Sequence, residues 1–137
     1  MKVLVDTSIW SIALRRSNNS DLKEVKELAE LIREMRVVII GSVRQELLSG
    51  IPESVVFESL KEKLQVFEDF NITTEDYEFA AELFNRCRKK GIQGSHIDYL
   101  ICAVSLNNGF TIFTADKDFE RFREHTGIKL HTVRNDL

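Results

Sequence analysis

Apolar residues along this chain follow two rhythms that alternate, short continuous runs and longer stretches in which apolar positions return every three or four residues. The first run, Val3-Leu4-Val5, stops at Asp6, and residues 9–14 then read as a short helix. Residues 17–20, Ser-Asn-Asn-Ser, form a loop by composition. Leu22, Val25, Leu28, Leu31, Ile32 and Met35 recur at helical spacing, with Asp21 and Glu24 placed to form a capping box at the start. Val37-Val38-Ile39-Ile40 is continuous and apolar up to Gly41, the pattern of a strand covered on both faces. Ser42 and Gln45 stand at capping-box spacing for a helix over 42–48, and a further helix is expected over 55–64 after Pro52. Residues 66–72 alternate weakly, as an edge strand does. Thr73 with Asp76, and Ser95 with Asp98, cap two helices that end at Gly91 and Gly109. The remaining pattern predicts a strand over 110–113, a helix over 116–124 and a last strand over 130–133.

Strands separated by helices predict the α/β class, with a mostly parallel sheet, right-handed crossovers and helices on both faces. In such sheets the carboxyl ends of the strands share one edge, outside which ligands bind. Asp6 stands at that edge.

Composition narrows the class without naming a chemistry. The 137 residues, 43% hydrophobic and 30% charged, suit one ordinary globular domain spanning 1–137. No apolar stretch approaches the ~18 residues of a membrane span, and the chain enters its first strand without a leader pattern, so a cytoplasmic protein with no membrane partner is expected. Cys87 and Cys102 lie in apolar helical patterns and read as core residues, not as a disulfide or zinc site. A net charge of −3 argues against a surface coated with phosphate-binding groups, but local clusters remain. Arg15 and Arg16 form one; Arg86, Arg88, Lys89 and Lys90 form another. The second falls in the last turn of a helix, where the macrodipole favours cations, so capping and RNA contact are both open readings.

Carboxylates supply the chemistry. Phe110-Thr111-Ile112-Phe113 runs into Thr114-Ala115-Asp116-Lys117-Asp118, repeating the buried strand that ends in hydroxyl and carboxylate seen at Asp6. Glu46 lies in the helix after the second strand, and Asp98 in the first turn of another. Each has a local alternative: Asp6 and Asp116 as helix caps, Asp98 as half of a capping box, Glu46 as a solvated helix residue, and Asp118 as a favourable charge at a helix start. Together, three or four carboxylates within ~4–6 Å cannot all stay ionised without a compensating cation. Oxygen donors favour Mg²⁺, with Mn²⁺ as a substitute. His96, His125 and His131 show no zinc spacing, and GxSxG, GxxxxGK[ST] and GxGxxG are all missing from the sequence. An acidic Mg²⁺ site suits phosphoryl chemistry, in which cations orient and deprotonate water and stabilise the leaving oxygen. Thr7, Ser8 and Thr114 would orient carboxylates, waters or a phosphate, or else make ordinary turn hydrogen bonds.

VDTSIW, RQELLSG, HIDYLICA and FTADKDF, in this order and spacing, resemble the PIN-domain ribonucleases, and within them the VapC-type toxins of toxin–antitoxin pairs. The resemblance spans nearly the whole chain. It implies a sheet of about five strands between helices. It implies a catalytic and metal-binding quartet of Asp6, Glu46, Asp98 and Asp116, with Asp116 and Asp118 competing for the place nearer the metal. It also implies Mg²⁺-dependent RNA hydrolysis, a cognate antitoxin and a homodimer. The helices over 21–35 and 55–64 offer faces for an antitoxin or second subunit, and His96 either contacts RNA or simply begins its helix. Two other readings stay open: an RNA-processing nuclease outside any toxin pair, and a non-catalytic module of the same fold that binds RNA or protein. Dehalogenase-type phosphatases need an aspartate where Ser8 stands, and receiver domains need an acidic pair that this chain lacks.

Overall fold

The strand that ends at Asp6 becomes the middle of the sheet. In the computed structural model, which describes residues 1–15 and 22–134, β1 (Val3–Val5) lies between β2 (Val37–Val38) and β3 (Thr111–Phe113), all parallel. Val3 pairs with Val37 and Thr111, Leu4 with Val38 and Ile112, and Val5 with Phe113. All three β1 residues are fully buried. Successive strand side chains point to opposite faces, so both faces of the sheet are covered. Residues 17–20, Arg16, Asp21 with its proposed cap, and the side chain of Arg15 lie outside the described residues.

Seven helices are described: α1 (Thr7–Arg15), α2 (Lys23–Arg33), α3 (Gly41–Leu48), α4 (Ser54–Leu64), α5 (Thr74–Lys89), α6 (His96–Asn108) and α7 (Asp118–Thr126). They form two groups. α1 packs on α2 and α3, and α3 on α4; α5 packs on α6 and α7, and α6 on β3. Trp10, Leu31, Leu47, Leu83, Tyr99, Phe119 and Phe122 fill the space between the elements, with Cys87 and Cys102 in the same core.

Among the described residues the sheet has three strands, where about five were expected. The two missing strands survive as single parallel bridges at the two edges, Ile39 with Asp69 and Ile112 with Leu130. Over 66–72 a side chain takes the place of a ladder. The Arg44 guanidinium donates to the Leu64 carbonyl (2.9 Å), the Phe67 carbonyl (2.5 Å) and Asp69 Oδ1 (2.9 Å), which curls the segment around it. Over 130–133, Ile112 exchanges bonds with Lys129 and His131 (2.9 and 2.7 Å), after which His131 and Arg134 attach to α2 instead of continuing the sheet.

Several helix starts also differ from the pattern, among them those of α1 at Thr7 and α2 with Leu22 at its N-cap. Ser42 does not cap α3: Ile40, still extended, occupies the N-cap, and its carbonyl accepts from Val43 and Arg44, so Ser42 lies inside the first turn. α7 starts at Asp118, after Lys117 at the N-cap. The capping boxes Thr73/Asp76 and Ser95/Asp98 form as their spacing requires. At the end of α2, Met35 N–H bonds to the Ile32 carbonyl and Arg36 N–H to the Leu31 carbonyl. This is a Schellman motif, with a non-glycine residue at φ 58° in the left-handed position.

Candidate active site

Parallel pairing places the exits of β1 and β3 side by side, and Asp6 N–H bonds to the Phe113 carbonyl at 2.9 Å. Asp6 is only 6% exposed. A carboxylate buried this deeply needs donors, and two hydroxyls provide them: Ser8 Oγ and Thr114 Oγ1 each donate to its Oδ2 at 2.8 Å. These hydroxyls are themselves held. Ser8 Oγ accepts from Ala115 N–H and Thr114 Oγ1 from Asp116 N–H, both at 2.9 Å. A relay thus runs from the backbone beyond β3, through two hydroxyls, to the carboxylate beyond β1.

Asp98 enters from the first turn of α6. Its Oδ2 accepts Ser95 N–H at 3.0 Å while Ser95 Oγ accepts Asp98 N–H at 3.1 Å. Capping and rim position are therefore properties of one residue, not alternatives. Burial raises the Asp98 pKa, bonds from Ser95 pull it down, and the charges of Asp6 and Asp116 raise it further. Asp116 lies on the exposed turn after β3, and its Oδ1 accepts Asp118 N–H at 2.9 Å. Asp118 itself pairs with Arg121 at 2.7 Å. Glu46, exposed on α3, accepts from Thr7 Oγ1 at 2.5 Å, which ties it to the first residue after Asp6.

Among the described residues, hydrogen bonds occupy one oxygen of each acid: Oδ2 of Asp6 and Asp98, Oδ1 of Asp116 and Oε1 of Glu46. Asp98 feels the like charges of Asp6 and Asp116, and hard oxygen donors without thiol or imidazole suit Mg²⁺ or Mn²⁺. Among the described residues, no three acid, imidazole or thiol side chains are drawn close enough to form a finished ligand shell. The donor chemistry fits a divalent cation, with the acids held apart from a closed arrangement.

The basic cluster over 86–90 lies at the end of α5. Arg86, Arg88 and Lys89 close the last turn of α5 and Lys90 is its C-cap, the position the macrodipole favours. Arg88 lies 5.5 Å from the centre of the Phe84 ring, and His96 stacks on Phe84 at 4.9 Å with 13° between planes. His96 thus belongs to an aromatic stack at the start of α6.

A second buried acid went unnoticed in the sequence. Glu27 on α2 is 5% exposed and meets His131 Nε2 at 2.5 Å and Arg134 Nε at 3.0 Å, while Arg134 also pairs with Glu34 at 2.9 Å. Burial pushes the Glu27 pKa up, but hydrogen bonds and charge from Arg134 and His131 outweigh it and lower the pKa overall. A signal was available, since Glu27 falls beside Leu28 and four residues before Leu31, on the apolar stripe of its helix.

The sequence profile of the PIN domain family matches residues 3–125. Among solved structures, the chain is similar to VapBC2 from Rickettsia felis bound to a DNA fragment from its promoter, at 20% identity over 96% of this chain and 98% of that one, with a TM-score of 0.77. FitAcB from Neisseria gonorrhoeae is similar at 19% identity over 95% and 96%, with a TM-score of 0.75. DNA-bound VapBC from Salmonella typhimurium is similar at 18% identity over 96% and 97%, with a TM-score of 0.73. At such identities the likeness is one of fold.

Proposed function

The chain belongs to the PIN domain family, and from that premise we propose that it is a divalent-metal-dependent endoribonuclease acting as the toxin of a toxin–antitoxin pair. One observation carries the catalytic part: four acids from four elements, each with one oxygen held by a protein donor and one left over, at the rim where the strands end. A bound divalent cation would supply charge neutralisation, activation of water and stabilisation of the leaving oxygen. Asp6, Asp98 and Asp116 would hold it. Glu46, oriented by Thr7, completes the set or positions the attacking water. Ser8 and Thr114 keep the Asp6 carboxylate in one orientation. An acidic rim repels phosphate, so the cation would also be needed to seat the scissile phosphate among the acids, whereas contacts away from the rim need none. The toxin part rests on the VapBC assemblies among the structural neighbours, which also support a protein antitoxin as partner.

Purified protein incubated with total RNA tests the proposal, with Mg²⁺ or with EDTA, followed by mapping of the cut ends. Cleavage is expected with Mg²⁺ only, and loss of cleavage is expected in Asp6→Asn and Asp98→Asn. Full activity in EDTA, or in either variant, overturns it. The unfinished ligand shell supports one rival, a non-catalytic binding module of the same fold. Calorimetry separates the two, because a binding module takes up neither Mg²⁺ nor Mn²⁺.

A further inference from the structure

A cavity of about 480 Å³ opens between α5 and α6, beside the acids but not among them. Ser42, on its wall, lies one helical turn before Glu46 on α3, and His96 belongs to the same first turn of α6 as Asp98. Resting on the ribonuclease reading above, we propose that this cavity is a base subsite, taking one unpaired nucleobase of single-stranded RNA next to the phosphate addressed by the acids.

Its walls have the chemistry a base requires. Tyr77, Ala81 and Phe84 line it from α5 and are spaced along one face of that helix; Tyr77 is exposed, and Phe84 is already stacked with His96. Single-stranded RNA is held chiefly by stacking of splayed bases on such rings. Asn85 and Ser42 add donors and acceptors able to read a base edge. The α5 stripe continues to Arg88, one turn beyond Phe84, with Arg86 and Lys89 in the same last turn. A strand with a base in the cavity would therefore have cations for its next phosphate on one side and the acidic rim on the other. This assigns the basic cluster a second task beside helix capping. The volume lies within the ~300–1,000 Å³ of small-ligand sites. Such a volume suffices for one ring system.

Fluorescence anisotropy with labelled single-stranded RNA about eight nucleotides long, within the usual footprint of single-strand binders, tests this in buffer containing EDTA. The series comprises the intact strand and strands with one abasic position each. For the wild-type protein, one abasic position should weaken binding by about 5- to 150-fold, the usual contribution of one stacked base. Ala81→Phe fills the cavity from an exposed position. It should weaken the intact strand by a similar factor and abolish the distinction between intact and abasic strands. If that variant does not fold, His96→Ala, also at an exposed position, should shrink the same distinction. Absence of an abasic penalty overturns the proposal, as does its persistence in Ala81→Phe, or a change in sedimentation of Ala81→Phe with RNA affinity untouched, which would make the cavity a protein interface. Cleavage plays no part in the measurement. A protein that binds with the penalty but never cuts RNA in Mg²⁺ therefore supports the subsite while overturning the nuclease.

Discussion

Asp6 and Glu27 are buried to nearly the same depth, at 6% and 5% exposure, yet their surroundings are opposite. Glu27 brings its own cations: His131 and Arg134 close on it from a segment about a hundred residues away in sequence, and its pKa falls despite burial. Asp6 is met by two neutral hydroxyls and by further acids, and Asp98 beside it is pushed up by burial and by the charges of Asp6 and Asp116. Burial of an acid therefore says little about its task. What distinguishes the two sites among the described residues is that side-chain cations balance Glu27, whereas hydroxyls hold Asp6 beside further acids.

Removing charge from each site should separate them most sharply. Asp6→Asn should lower RNA cleavage by more than about a hundredfold, beyond the 10–100-fold usual for residues that only support a metal ligand, while circular dichroism stays native. Glu27→Gln should cleave RNA like the wild type; equal losses in both variants would erase the comparison. Next in size, Ser8→Ala combined with Thr114→Val frees the Asp6 carboxylate and should cost ~10–100-fold in activity, read from initial cleavage rates at fixed Mg²⁺. Glu27→Gln instead should lower stability by about 1.5–3 kcal/mol, the usual contribution of a hydrogen bond to a charged group, measured by urea unfolding. Mg²⁺ in excess should raise the thermal midpoint of the wild type and of Glu27→Gln, equivalent to about 2.7 kcal/mol at a hundred times Kd, and leave Asp6→Asn unmoved.

The pH dependence of stability in EDTA should have opposite signs at the two sites. The lowered pKa of Glu27 contributes stability that is present above the ordinary Glu value of about 4.3 and is lost as pH falls through its lowered value. The raised pKa of Asp98 contributes stability that is present below the ordinary Asp value of about 3.9 and is lost as pH rises through its raised value. Urea midpoints across that range should lose their acid-side fall in Glu27→Gln and their loss on raising pH in Asp98→Asn. The smallest effect lies outside both sites. Met35→Gly relieves the left-handed position at the end of α2, where a non-glycine residue costs roughly 1–2 kcal/mol against a glycine entropy cost of about 0.5–1, so a gain of at most about 1.5 kcal/mol in urea unfolding is expected.

Much of the fold was legible because its signals are local. The apolar runs at Val3 and Ile112, the helical recurrence behind Leu28 and Leu31, and the boxes Thr73/Asp76 and Ser95/Asp98 each depend on residues within a turn or two. The edge segments, expected as an edge strand and a last strand, form single bridges, because a weak alternation says nothing about competitors for the backbone. Arg44 supplied one competitor, and the bonds of His131 and Arg134 to Glu27 another. Ser42 has the right spacing to Gln45 for a cap but does not cap α3, because the strand before it runs straight into the helix.

The same division holds at the rim. By itself the sequence determined that acids follow the buried strands and open the helices, since a run built for burial must end where polar groups can be satisfied. It also determined the capping of Asp98, a bond across three residues. Tertiary structure alone decided that Thr114 and Ser8 converge on one oxygen of Asp6, that Thr7 holds Glu46, and that, among the described residues, cations meet Glu27 and hydroxyls meet Asp6. Those contacts join residues as many as 108 positions apart. They exist because parallel pairing puts β3 beside β1, and no local preference of either segment specifies which strand it will lie against.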